Sequence, residues 1–153
     1  MRLKALGVLV ALGALACGGE KKPDQTQSQT PAAQPAATQP AGPVVEVKMT
    51  GNGSTQAAYV PNTLTIAPGT TVRFINVSGG PHNVAFYGDS IPSGAAAVLN
   101  AGMANRMDNL SGPFLTTANE NYDVSFAGAP TGTYKSYCLP HVALGMKLTI
   151  TVK

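Results

Sequence analysis

From Val44 onward, apolar residues recur at every second position in short bursts, and each burst is soon cut off by turn-forming residues. Val45, Val47 and Met49 alternate with polar or small neighbours, and Leu64/Ile66, Val72/Phe74, Val84/Phe86, Val124/Phe126 and Leu148/Ile150/Val152 repeat the pattern. A period of two is what a strand with one buried face requires, whereas a helix would need a period near 3.6. Gly51-Asn52-Gly53, Ala67-Pro68-Gly69, Ser78-Gly79-Gly80-Pro81 and Ala129-Pro130-Thr131-Gly132 supply the turns. Roughly seven short strands at this spacing predict an all-β, Greek-key β-sandwich over residues 44–153. About 110 residues are enough for one small core. One stretch departs from the rule. Ser93 to Asn109 is rich in Ala, with Met103 and Met107 four apart, and it predicts one short helical or irregular crossover between the sheets, with both Met as packing residues.

The preceding residues cannot belong to that core. Arg2 and Lys4 lead into the apolar run Leu6 to Ala16, the pattern of a secretory signal over residues 1–16. The run is too short for a spanning helix, which needs about 20 residues. Ala14-Leu15-Ala16-Cys17 resembles the lipobox of bacterial lipoproteins, which implies acylation of Cys17, although Leu15 stands two places before the Cys rather than three. Ala14-x-Ala16 also satisfies the rule for ordinary signal cleavage, which would leave Cys17 a plain thiol. From Gly18 to Pro43 no Val, Ile, Leu, Phe or Tyr occurs, so the segment cannot offset its own ordering entropy. Residues 17–43 therefore read as a disordered Pro/Ala/Gln/Thr tether, lipid-anchored if Cys17 is acylated. The localisation expected is an exported, membrane-anchored lipoprotein facing the periplasm or the cell exterior.

Charge narrows the function. The chain has 10 Lys+Arg against 7 Asp+Glu, and two of the bases are in the leader. The remainder is nearly neutral and lacks the basic stripe of a nucleic-acid binder, so no nucleic-acid partner is expected.

Chemistry must come from few residues, since the chain has two His and two Cys. With Cys17 at the leader boundary, Cys138 has no partner for a disulfide inside an exported domain. It opens the run Cys138-Leu139-Pro140-His141-Val142-Ala143-Leu144-Gly145-Met146, which puts a thiol, an imidazole and a thioether on one loop between two strands. His82, in Gly80-Pro81-His82-Asn83-Val84, is the one other imidazole, and it is expected to face that loop from the opposite sheet. Two imidazoles, one thiolate and a distant Met sulfur make the trigonal site with a weak axial ligand that selects copper and supports one-electron transfer. The metal ligands expected are His82, Cys138, His141 and Met146, holding one type 1 copper ion.

Three stretches, Tyr59 to Asn76, Gly80 to Gly94 and Tyr137 to Val152, carry a resemblance to the plastocyanin family of blue copper proteins, in the broad cupredoxin sense that includes pseudoazurin-like members. The resemblance covers about residues 45–153, and the C-x2-H-x4-M spacing is its most specific part. It implies that Asn83 bonds across to the segment bearing Cys138. It also implies that His141 is the electron port, ringed by Pro140, Ala143, Leu144, Gly80 and Pro81 as a docking patch. Tyr137 resembles the family's second electron route, and an aromatic packed on the strand surface fits it as well. Gly80 replaces an aromatic common in photosynthetic members, and Tyr87-Gly88-Asp89-Ser90 replaces the acidic run of plant forms. A cytochrome f-like partner therefore does not carry over.

The function expected is a membrane-tethered carrier of single electrons between larger redox proteins, such as cytochromes or a terminal oxidase or reductase. It would be a monomer docking transiently, and not an enzyme, since every ligand position is filled by the chain. A copper-storage or copper-delivery lipoprotein is the alternative, and it lacks the exposed Met/His tracts that delivery favours. A plain immunoglobulin-like adhesion domain is the third.

Overall fold

The computed structural model describes residues 42–153. The export signal, Cys17 and the tether as far as residue 41 lie outside the described residues.

Among the described residues, eight strands and one α-helix follow in the order β1 (Val44–Gly51), β2 (Ala57–Val60), β3 (Thr63–Ile66), β4 (Thr71–Asn76), β5 (Ala85–Phe86), α1 (Ala95–Gly102), β6 (Asn121–Ser125), β7 (Gly132–Tyr137) and β8 (Lys147–Val152). They form two four-stranded sheets, ordered β2-β1-β4-β6 and β3-β8-β7-β5. The β-sandwich predicted from the alternation is thus the fold observed. β1 runs parallel to β4 and β3 parallel to β8, while the other pairs are antiparallel.

Alternation places the core. Val47, Met49, Val72, Phe74 and Val124 face inward from the first sheet, and Tyr134, Leu148, Ile150 and Val152 from the second, all fully buried or nearly so. Phe126 binds the layers edge-on, with its ring 6.2 Å from Phe86 and 5.3 Å from Tyr134, a T-shaped geometry that the ring quadrupoles favour. On the outer face Arg73 stands opposite Asp123 in the β4–β6 register and donates two hydrogen bonds of 2.8 Å to its carboxylate.

The helix lies inside the predicted crossover. It buries Ala95 and Leu99, and the Arg106 guanidinium donates to the carbonyls of Asn100 and Met103 at its C-terminal end. Met103 is buried, but Met107 is 45% exposed. The expectation that both pack is corrected for Met107, which lies past the end of the helix in a loop, where a four-residue spacing no longer keeps two side chains on one face. Among the described residues no helix is long and apolar enough to cross a membrane.

Candidate metal centre

Two segments converge at one end of the sandwich. β7 delivers Cys138 with extended backbone, and the chain then tightens into a 3₁₀ turn over Leu139–Leu144, with Pro140 near its start. Gly145 ends the turn at φ 81°, a left-handed conformation that glycine adopts without a Cβ penalty. The loop is closed by its own backbone: Cys138 N–H donates to Met146 O (3.1 Å), His141 N–H to Cys138 O (3.1 Å) and Met146 N–H to His141 O (3.3 Å). These bonds hold Cys138, His141 and Met146 in one compact unit, and all three are buried.

His82 has no such local frame. It belongs to the connection from β4 to β5 and is held by a two-bond bridge to Leu115, with N–H to O distances of 3.0 and 2.7 Å. β5 pairs directly with β7, so His82 leads into the same sheet as Cys138. The expectation of an opposite-sheet approach is therefore corrected. The sheet change falls in the connection between β4 and β5, and the imidazole meets the loop from the stretch just ahead of β5. Its Nε2 lies 2.9 Å from the carbonyl of Ser78. A carbonyl only accepts, so Nε2 carries the proton and Nδ1 presents a lone pair.

That lone pair points into a triangle of donors. Cys138 Sγ is 3.7 Å from His82 Nδ1 and 3.5 Å from His141 Nδ1, and the two Nδ1 atoms are 3.1 Å apart. A point slightly off their plane lies about 2.0 Å from both Nδ1 atoms and about 2.3 Å from Sγ, the distances at which imidazole nitrogen and thiolate sulfur hold a first-row metal such as zinc. Converging lone pairs in a buried place repel unless a cation lies between them. The donor set, two imidazoles and a thiol, is the one that fits copper in a trigonal site. Burial pushes the Cys138 thiol up, opposed by the backbone N–H groups of Asn83 and His141. Burial and then the facing His82 push His141 down, which keeps its imidazole neutral and able to bind metal.

Asn83 ties the segments together, with every polar group engaged. Its N–H points at Cys138 Sγ (3.5 Å), its Oδ1 accepts from Leu139 N–H (2.8 Å), and its Nδ2 donates to Ser111 Oγ and Gly112 O, both at 3.3 Å. Its carbonyl accepts from the buried hydroxyl of Tyr59 (2.6 Å). Tyr59, Ser78, Ser111, Gly112 and Leu115 are the supports that sequence reasoning passed over.

His141 is only 6% exposed, and Gly80, Pro81, Pro140, Ala143 and Leu144 are all exposed. Leu139 and Val142 add apolar surface beside them. Tyr137 leaves Cys138 toward the outer face and stacks on Tyr87, with ring centroids 4.4 Å apart.

Residues 45–153 match the model of the family described as "Copper binding proteins, plastocyanin/azurin family". The chain is 40% identical over 109 residues to plastocyanin of Scenedesmus fuscus, covering 71% of this chain and 99% of that one. Among solved structures it resembles the oxidised form of plastocyanin from Dryopteris crassirhizoma, at 29% identity and a TM-score of 0.54, over 71% of this chain and all of that one. A Sinorhizobium pseudoazurin has 26% identity and the same TM-score, over 73% of this chain and 75% of its own. The buried triangle of two imidazoles and a thiol and these likenesses lead to one assignment: the chain belongs to the plastocyanin/azurin family of copper-binding proteins.

Proposed function

We propose that the chain is a tethered electron carrier, taking and giving single electrons outside the cytoplasm between larger redox proteins. The observation that carries this reading is the buried triangle of His82, Cys138 and His141, whose donor atoms all lie within 4.8 Å of one another. Bound copper supplies a Cu(I)/Cu(II) couple. The protein's part is to hold the donors where both oxidation states accept them, because any rearrangement of ligands adds to the barrier for transfer. The loop's backbone bonds do this for Cys138 and His141, and the Leu115 bridge with the Ser78 contact does it for His82.

Met146 is the fourth ligand in this reading. It is fully buried, and its backbone is bonded to both loop donors. Asn83 orients the ligands from outside, as such surrounding groups do. His141 is the port, and Gly80, Pro81, Pro140, Ala143 and Leu144, widened by Leu139 and Val142, form an apolar docking surface suited to brief encounters with partners such as cytochromes. Residues 1–16 export the chain, Cys17 anchors it by acylation, and residues 17–43 give the domain a range of search beside the membrane. All assigned ligand positions are filled by side chains, so the reading includes no substrate turnover.

The test is reconstitution with Cu(II). Expected are an intense thiolate-to-copper absorption band and reversible voltammetry with the metal retained. Rapid loss of Cu(I) to a modest chelator would support copper delivery instead, and a colourless protein would end the reading. The anchor is tested separately. Cys17→Ala should release the protein from membranes, and unchanged membrane association would refute the tether.

A further inference from the structure

Tyr59 is 2% exposed and reaches from β2, in the first sheet, to the carbonyl of Asn83, between His82 and the second sheet. A buried phenol is unfavourable unless its hydroxyl is paired, and here the partner is the main chain of the residue whose own N–H points at the Cys138 sulfur. The ring is fixed independently, edge-on to Phe74 at 5.8 Å. Burial, and after it the neighbouring Cys138, hold the Tyr59 phenol well above its ordinary range, so the hydroxyl remains a donor at any working pH.

We propose that Tyr59 is a positioning residue of the copper centre: its hydroxyl anchors the Asn83 main chain and so sets the N–H contact on the Cys138 sulfur. Hydrogen bonding around that sulfur tunes the redox potential of such sites. Without the anchor, the Asn83 N–H withdraws, the sulfur donates more electron density to the metal, and the oxidised ion is favoured. The inference rests on the copper centre and is independent of the carrier role.

The experiment compares Tyr59→Phe with Phe126→Leu. Tyr59→Phe keeps the ring and removes only the hydroxyl, leaving the Asn83 carbonyl buried without a partner. Phe126→Leu softens the core where it packs on Phe86 and Tyr134, without touching Tyr59's ring partner Phe74 or a polar group. In metal-free protein, amide hydrogen exchange at Asn83 and Leu139 should quicken roughly threefold to tenfold in Tyr59→Phe, the range expected for one lost hydrogen bond. In copper-loaded protein the same variant should have a lower potential and a displaced thiolate-to-copper band. Phe126→Leu should lose stability with band and potential unchanged. Wild-type exchange at both amides in Tyr59→Phe would overturn the proposal, and so would a wild-type band and potential, or an equal shift in Phe126→Leu. The exchange measurement needs no metal, so its failure is distinct from failure of the carrier reading.

Discussion

The two segments that meet at the metal centre are built in opposite ways. Cys138 to Met146 is a loop closed mainly by its own backbone bonds and by Gly145, with one outside bond, from Leu139 N–H to Asn83 Oδ1. Gly80 to Asn83 has no internal frame and is held from outside by Leu115, Ser78, Ser111, Gly112 and Tyr59. A contiguous donor set is specified by local geometry, whereas a lone donor must be specified by contacts distant in sequence. The first kind of segment should fail chiefly when a donor is removed. The second should also fail when a neighbour is.

Four perturbations sharpen or break this contrast. The largest effect is expected from Cys138→Ser, which removes a donor from the loop. The thiolate-to-copper absorption should vanish while the far-ultraviolet circular dichroism of the metal-free protein stays that of a sandwich, and loss of the fold would mean that the loop is not closed mainly by its own backbone. Asn83→Ala comes next. It leaves Gly112 O without its partner in a buried place and Leu139 N–H without one in a part-buried place, at a cost of roughly 1–3 kcal/mol, measured by denaturant unfolding. Faster copper release should accompany it, and unchanged release would mean that the outer contacts do not govern His82. Met146→Leu should keep the copper and move the potential, since an axial bond of this kind is long and weak. Damage equal to that of Cys138→Ser would place the two sulfurs on the same footing.

The smallest effect is a pH dependence. Tyr122 donates its hydroxyl to Ala104 O (2.7 Å) and packs its ring against Gly112, so it braces the stretch that carries Leu115. Burial, partly opposed by Arg106, pushes its phenol up to about 12. The neutral form is favoured in the folded state. This contribution to stability is therefore present in full below the unfolded value of about 10 and is lost as pH rises toward the folded one. Unfolding free energy should fall across that window, and less steeply in Tyr122→Phe.

The same contrast explains what the sequence could reveal. Val45/Val47/Met49 and Leu148/Ile150/Val152 alternate because each strand has one face in the core, and these became β1 and β8. The Ala57–Val60 strand has no such alternation and a Val60 that is 50% exposed, so it escaped notice. Val84/Phe86 marked a strand that shortens to Ala85–Phe86, because the Val84 carbonyl accepts instead from Gly112 N–H. The ligand loop was legible because its donors are rare residue types at close spacing. Leu115, Ser78 and Gly112 were not, because each acts through a backbone carbonyl or amide, which any residue type possesses. Met107 was misplaced because a helical spacing was carried past the helix end.

The pairing of β3 with β8 sets Leu64 opposite Ile150, a contact between residues far apart in the polypeptide, and such closures are late and slow events in folding. The β7–β8 hairpin needs no such wait, and it already carries Cys138, His141 and Met146. His82 stands 56 positions from Cys138, so by sequence separation the three loop side chains are expected to assemble before His82 joins them. An ion supplied early would meet an unfinished chelator, so metal belongs at the end of a refolding protocol.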